Sequence, residues 1–381
     1  MRKRFRVLSA LAYNDPLYQH GIIEYAHEAG WELDMTFAYY GTTPIHWKGD
    51  GIMTHYLVTH PELMDWLQSQ HVPVVSLNAD EVPYWRGTAP DHVKCGQMAA
   101  EYLLSLGFDE FAYFRCSDQI SVAERQRAFR ETLSQRGKTF HLIDWREIRT
   151  RNRPTQFLGK ILARLPLPLG IFCQSDHRAA TLFNACEEAG LSVPDDIAIL
   201  GVGNNETLCN FSRVPLSSID TDMERIAWTG AAMLDRMMKG ETVPKTPVLF
   251  PPIGLITRRS TAVIRTANPH VAEALRFIVA NSTAPINVND IIRHVGISRT
   301  WLCRIFKEFV GHSISEELLR VRIEQAKHLL LRSEEKITKI AQMTGFTSYV
   351  HFAKSFQRVT GCSAKELRLQ RNSNNLNKLN E

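Results

Sequence analysis

Arg299, Thr300, Cys303, Arg304 and Lys307 recur at spacings of one, three and four residues within DIIRHVGISRTWLCRIFKEFVG (290–311). On a helix these positions share one face. Guanidinium, ammonium and hydroxyl groups gathered there would donate to phosphates and to base edges. Leu302, Ile305, Phe306 and Phe309 fall on the inward face. Ile291, Ile292, Val295 and Ile297 do the same for a shorter preceding helix and its turn at Gly296. Ser298 is a suitable cap for the second helix. Helix, glycine turn, helix with a basic outer face is the helix-turn-helix pattern.

The pattern returns 49 residues later in ITKIAQMTGFTSYVHFAKSFQRVTG (337–361). Gly345 replaces Gly296, and Ser348 replaces Ser298 or its neighbour. Phe352 and Phe356 face inward, while Tyr349, His351, Lys354 and Arg358 face out. Between the copies, the apolar spacing over residues 315–331 predicts a strut about 25 Å long, from ~1.5 Å per residue. Such a strut could hold two recognition helices about one DNA turn (~34 Å) apart.

A second set of polar residues follows apolar runs in the first 262 residues. Asn14 and Asp15 come after one run, and Asn78 and Asp80 after another. Asp118, Glu124 and Arg125 follow a third, and Gln174, Ser175 and Asp176 a fourth. Asn204, Asn205 and Glu206 follow a fifth. Amides, carboxylates and an arginine, with Trp47, Tyr84 and Trp85 nearby, suit a small polyol whose apolar face an aromatic can cover. Asp176 could equally cap the helix after it.

These positions gain meaning from the elements around them. Strands are expected at 5–11, 72–77, 111–114, 169–173 and 197–202. Helices are expected at 17–29, 96–106, 122–136, 178–189 and 223–238, each stopped by a glycine. That alternation predicts parallel sheets covered by helices on both faces. Its length of about 260 residues suggests two consecutive lobes, with ligands beyond the carboxyl ends of the strands. The expected architecture is a two-lobed α/β domain (1–262), a connector (263–270), an all-α domain with two helix-turn-helix units (271–372) and a tail (373–381).

Composition narrows the function. The chain has 381 residues, 44% hydrophobic and 22% charged, which fits a globular protein of two to three domains. Residues 268–381 hold 17 Lys and Arg against 10 Asp and Glu, a net of +7. Residues 1–267 hold 28 against 30, a net of −2. A basic segment behind a near-neutral one suggests a polyanion reader attached to a sensor or enzyme. The start, MRKRFRVLSALAY, imitates a signal peptide, but its apolar stretch is barely seven residues and suits a buried strand better. Seven dispersed Cys without a C-x-x-C pair fit buried thiols in a reducing cytoplasm. No apolar run could cross a membrane. No G-x-S-x-G, Walker A or H-E-x-x-H motif occurs, so no catalytic residue, metal or cofactor is expected.

The stretches RQRAF (125–129), IFCQSDHRAATLFNACEEAGLSVPDDIAILGVGNNE (171–206) and VPLSSID (214–220) resemble the lactose-repressor type of sugar-sensing domain. That family is similar to periplasmic sugar-binding proteins. The resemblance implies a sugar contact for Arg125 and Asp176, and another from the Asn204 loop. Gly203 stands where that family usually has Asp. The family's own N-terminal DNA-binding headpiece has no counterpart, so DNA contact would fall to another segment.

The later segment closely resembles the DNA-binding domain of the AraC/XylS family. Gly296-x-Ser298, Phe306, Phe309, Gly311, Arg322, Ala326, Leu329-Leu330, Ile340-Ala341, Gly345-Phe346, Phe352, Phe356, Gly361 and Arg368 carry the match. Ala364 and Leu367 depart from a usual Pro and a usual aromatic. The resemblance implies base reading by Thr300, Cys303 and Arg304, and by Tyr349, Val350, His351 and Lys354. Arg304 is the strongest candidate, because Arg pairs bidentately with guanine. Arg299, Lys307 and Arg358 suit phosphates.

The order of sensor then reader resembles certain enteric sugar-operon regulators, through Asp15, Gly21, Glu24-Tyr25 and Asp50-Gly51, and implies a sugar contact for Asp15. The expectation is a non-enzymatic, cytoplasmic regulator that binds an operator in double-stranded DNA. Its effector would be a monosaccharide such as a pentose. It would act as a homodimer, with RNA polymerase as a further partner and activation favoured. The rival readings are a repressor of the same architecture, an α/β enzyme fused to a DNA reader, and a binding protein whose basic tail serves an acidic partner.

Overall fold

The computed structural model describes residues 4–12, 15–55, 60–82, 85–262, 268–333 and 335–369. The first lobe begins with β1 (Arg6–Leu11), α1 (Pro16–Ala29), β2 (Glu32–Asp34), α2 (Thr36–Tyr40), β3 (Gly51–His55), α3 (Pro61–Gln68), β4 (Val74–Ser76) and β5 (Arg86–Pro90). The chain then enters the second lobe. There it forms α4 (His92–Ser105), β6 (Glu110–Arg115), α5 (Ile120–Gln135), β7 (Thr139–Asp144), α6 (Trp145–Ile148) and α7 (Pro154–Leu162). β8 (Leu169–Cys173), α8 (Asp176–Glu188), β9 (Ile197–Val202), α9 (Glu206–Phe211) and β10 (Ser217–Asp220) continue it. α10 (Met223–Met238) and β11 (Val248–Phe250) return to the first lobe, and β12 (Gly254–Ile256) to the second.

The two lobes are therefore interleaved, not consecutive as expected. The first sheet runs β11-β5-β4-β3-β1-β2, and the second β12-β10-β9-β8-β6-β7. Both are parallel except for the antiparallel β10–β12 pair. The return is driven by burial. Ile226, Ala227, Ala231, Met233 and Leu234 of α10 share a core with Val7, Tyr18 and Ile22. At that contact Gly21 lets α1 approach α10 so closely that a Cβ would lie 2.1 Å from the Glu224 carbonyl oxygen. Each sheet has a buried cluster on either face, as helices on both sides require.

Three chain segments cross between the lobes, at 90–92, 220–223 and 250–254. They are tied together. Asp91 N donates to Phe250 O at 2.7 Å, and Ile253 N to Asp220 O at 2.9 Å. Asp222 takes a left-handed backbone, φ 57°, held by its N–H to Asp220 Oδ1 at 2.9 Å.

The last domain is helical: α11 (Pro269–Asn281), α12 (Val288–Val295), α13 (Arg299–Val310), α14 (Ile314–Arg332), α15 (Ile337–Met343) and α16 (Tyr349–Thr360). α11 begins inside the stretch expected as connector, because Asn268 caps it and Pro269 starts it. The tail expected at 373–381 lies outside the described residues. α14 spans 19 residues, about 28 Å at ~1.5 Å each. Its first half, Ile314 and Leu318, joins the core under α12 and α13. Its second half, Ile323, Ala326 and Leu330, joins the core under α15 and α16. At its middle, Arg322 donates to Ser282 O, Ala284 O and Ile286 O at 2.9, 2.7 and 2.9 Å.

Candidate ligand cleft and DNA-reading face

The interlobe face brings together side chains far apart in sequence. Asp15 caps α1 through Leu17 N at 2.9 Å, and its other oxygen accepts from Asn205 Nδ2 at 3.1 Å across the lobes. Tyr18 is buried on α1, with its ring 5.3 Å from that of His55 at the end of β3. Burial pushes the Tyr18 hydroxyl up, and the Asp15 and Asp80 carboxylates add to the shift. Burial also lowers His55 to about 4, so the ring is neutral at physiological pH.

A polar cluster lies beside them. His92, at the start of α4, places Nε2 3.0 Å from Asp80 Oδ2 and Nδ1 3.4 Å from Arg125 Nη1. Burial lowers His92, while the Asp80 contact offsets part of the shift. Beyond that 3.0 Å approach of His92, both buried Asp80 oxygens find no hydrogen-bond donor. Arg125 Nε is likewise buried without an acceptor. Such groups cost about 1–3 kcal/mol each when desolvated and unmatched. Glu81 makes a second cross-lobe link, accepting from Ile120 N and Ser121 N at 2.8 and 2.7 Å. It caps α5, where the helix dipole favours a carboxylate.

Asp176 and Asn204 are placed differently from expectation. Ser175, not Asp176, is the N-cap of α8. Asp176 accepts from Ser218 Oγ at 2.7 Å and Asn205 N at 2.9 Å, and so anchors the loop after β9. Burial raises its pKa, against the lowering effect of those two bonds. Asn204 is 1% exposed and left-handed, φ 52°. Its Nδ2 donates to Asp220 Oδ2 at 3.0 Å, and its Oδ1 accepts from Arg258 Nη2 at 3.0 Å. Its neighbour Asn205 faces the other lobe instead.

Asn14 and Tyr84 lie outside the described residues. Trp85 and Trp47 belong to the first lobe's apolar core, so they do not form the expected aromatic cover. Asp118 is surface-exposed and paired with Arg115 and Arg146. Glu81, Tyr18, His55 and His92 were missed because nothing local marks them; only the interleaved topology brings them to the cleft. Cys95, Cys116, Cys173, Cys186 and Cys209 are buried free thiols.

The reader repeats with high fidelity. From Trp301 to Glu316 and from His351 to Glu366, shifted by 50 residues, each position has the same burial class. The turn glycines are 49 apart because the second turn is one residue longer, so Ser348 matches Ser298. Each serine caps its helix, through Trp301 N and His351 N. Gly345 takes φ 77°, and a Cβ there would lie 2.4 Å from Ser282 O.

The outward faces carry Arg299, Thr300, Arg304 and Lys307 on α13, and Tyr349, Val350, His351, Lys354 and Arg358 on α16, all exposed. Among the described residues, Arg304, Lys307, Lys354 and Arg358 make no ion pair or side-chain hydrogen bond. Arg299 donates to Asn289 Oδ1 at 2.7 Å. Two assignments need correction. Cys303 is half-buried against the first reader core, like Ala353 at the equivalent position, and so lies at the margin of the outward face. Phe309, expected inside, is 45% exposed.

Residues 100–261 match the periplasmic binding protein-like domain, and residues 291–370 a helix-turn-helix domain. The xylose operon regulatory protein of Haemophilus influenzae is 26% identical over 97% of this chain and all of that protein. The one from Escherichia coli K12 is 28% identical over 84% of each. The solved xylose-binding transcription activator xylR is 26% identical, covers 96% of this chain and 98% of its own, and superposes with a TM-score of 0.58. These relatives are transcription regulators, not enzymes. No described helix is long and apolar enough to cross a membrane.

Proposed function

This chain is an AraC-type helix-turn-helix transcription regulator with a periplasmic-binding-protein-like sensor, and on that premise we propose that it activates a carbohydrate operon in response to a pentose, xylose first among them. One observation carries the reading. Asp15 and Asn205 meet across the cleft beside Asp80, His92 and Arg125, whose buried acceptors and donor are unmatched. Sugar hydroxyls both donate and accept, so one ring could satisfy Asp80 and Arg125 Nε together. Asp15, Arg125, Asp80 and Asn205 hold hydroxyls, and Asp176 and Asn204 shape the loop that presents Asn205.

The reader binds an operator, with Thr300 and Arg304 at base edges in one groove and Tyr349, Val350, His351 and Lys354 in the next. Arg299, Lys307 and Arg358 hold phosphates. The chain works in the cytoplasm as a homodimer with RNA polymerase as a further partner. Its units are the sensor to residue 262, a connector, and the reader from α11 onward.

Thermal shift and calorimetry with D-xylose, L-arabinose, D-ribose and D-glucose test the reading. A ligand at ~100 times its Kd adds about 2.7 kcal/mol to the folded state. Xylose is expected to raise the sensor's Tm by several degrees and to change operator affinity. Absence of both effects for every sugar would remove the sugar assignment and leave the DNA reader standing.

A further inference from the structure

The DNA reader is hydrogen-bonded to the hinge of the sensor. His328, about one turn before the end of the strut α14, places Nε2 2.8 Å from Asp220 Oδ2. Asp220 is fully buried and ends β10, where the chain crosses from the second lobe to the first. Its other oxygen holds the left-handed Asp222 of that crossing. The oxygen that meets His328 also accepts from Asn204 Nδ2. Asn204 precedes Asn205, which reaches Asp15 across the cleft. Two turns before His328, Arg320 lies within electrostatic reach of Tyr102 on α4 of the second lobe. The reader thus rests on the second lobe, and a charge-assisted bond ties it there at the hinge.

We propose that the His328–Asp220 bond is the latch through which occupancy of the cleft reaches the DNA-binding helices. The proposal rests on the ligand-sensing reading above. Lobe closure is a rotation absorbed by the crossing segments. Asp220 is in such a segment, so its carboxylate cannot keep one position through that rotation. A ligand that bonds Asp15 competes with Asn205, and the Gly203–Asn205 loop then changes its hold on Asp220 Oδ2. α14 is rigid and shared by both reader cores, so a displacement at His328 moves both recognition helices together. A ligand can shift this arrangement only by its differential affinity for the two hinge states. By linkage, DNA must change sugar affinity by the same factor that sugar changes DNA affinity.

The test uses full-length protein, wild type, His328→Ala and His328→Gln. Gln carries an N–H donor near the position of Nε2. Operator affinity is measured by anisotropy with and without D-xylose, and xylose affinity by calorimetry with and without operator. The wild type should show one common coupling factor, within the roughly 5- to 150-fold range of coupled sites. In His328→Ala the factor should fall to about one while the xylose Kd without DNA stays within about twofold. His328→Gln should keep most of it. A wild-type factor in His328→Ala overturns the proposal.

Hydrogen exchange without sugar separates this from failure of the sugar reading. Loss of the latch should raise exchange at the Asp222 amide and along α14 in His328→Ala alone. Unchanged exchange there overturns the latch whatever the ligand is. Raised exchange in a protein that ignores every pentose overturns only the sugar assignment.

Discussion

In the reader, the residues offered to DNA sit on two 12-residue helices with matching burial patterns, and each face is fixed by its own helix. In the sensor, the cleft side chains come from residues 15 to 205 and from both lobes, and Asn205 meets Asp15 across 190 positions. A helix positions a side chain by period alone. A cleft positions it by topology and by loop conformations such as the left-handed Asn204. Damage to the reader should therefore stay local, whereas damage to the sensor should reach across lobes.

The largest expected effect tests that contrast directly. Asp15→Ala removes a charged acceptor and the cross-lobe bond, so xylose affinity should fall by about 2–4 kcal/mol, thirtyfold or more. Sugar-free operator affinity should move toward its sugar-bound value, because the variant releases Asn205 as a ligand on Asp15 would. An operator affinity in anisotropy that stays at the sugar-free wild-type value would show that the Asp15–Asn205 bond does not reach the reader.

The next concerns pH. His55 is held near 4 by burial, against 6.5 for the free side chain. As pH falls through that window the unfolded chain takes a proton that the folded sensor refuses. Folding therefore loses up to about 3 kcal/mol between pH 6.5 and 4, and none from this cause above pH 7. The sensor's Tm should drop across that window, and His55→Gln should flatten the drop. An identical profile for the variant would assign the acid sensitivity elsewhere.

Within the reader, Arg304→Ala should cost about 1–3 kcal/mol and relax specificity at one base pair. Arg358→Ala should weaken all sequences alike and lower the salt slope by about one. Titrations on operator and scrambled DNA at several salt concentrations distinguish them, and exchanged behaviours would reverse the two assignments. The smallest effects are the caps. Ser298→Ala and Ser348→Ala should each lose about 1 kcal/mol of reader stability by denaturant melts. A much larger loss at one site would mean that the two units do not share the same local construction.

The same contrast explains what could be read from sequence. Strands β8 and β9 fall where the apolar runs place them, because parallel strands buried on both faces are near-continuous apolar runs. The register of the two reader units was off by one only at the turn, where one added residue leaves no periodic trace. Cys303 and Phe309 were misplaced because a helix face is about 100° wide and its edges are decided by neighbours. In the sensor, Asp15 and Arg125 were found at strand ends or by resemblance. Glu81 and His92 were not, since their partners lie on other elements. Asn204 and Asn205 differ only in which way one left-handed residue turns the loop.

The interleaving of the lobes also governs the order in which the protein can be made. Strands β6 to β10 emerge from the ribosome in one stretch, 110–220, and lack only the edge strand β12. The first lobe starts earlier but needs α10 and β11, which follow some 130 residues after β5. Until then Val7, Tyr18 and Ile22 have no α10 to cover them. Closing so long a loop carries an entropic cost that only later contacts repay. The lobe translated first thus waits for segments made long after it, and a nascent chain halted before residue 223 would expose its apolar face to chaperones and proteases.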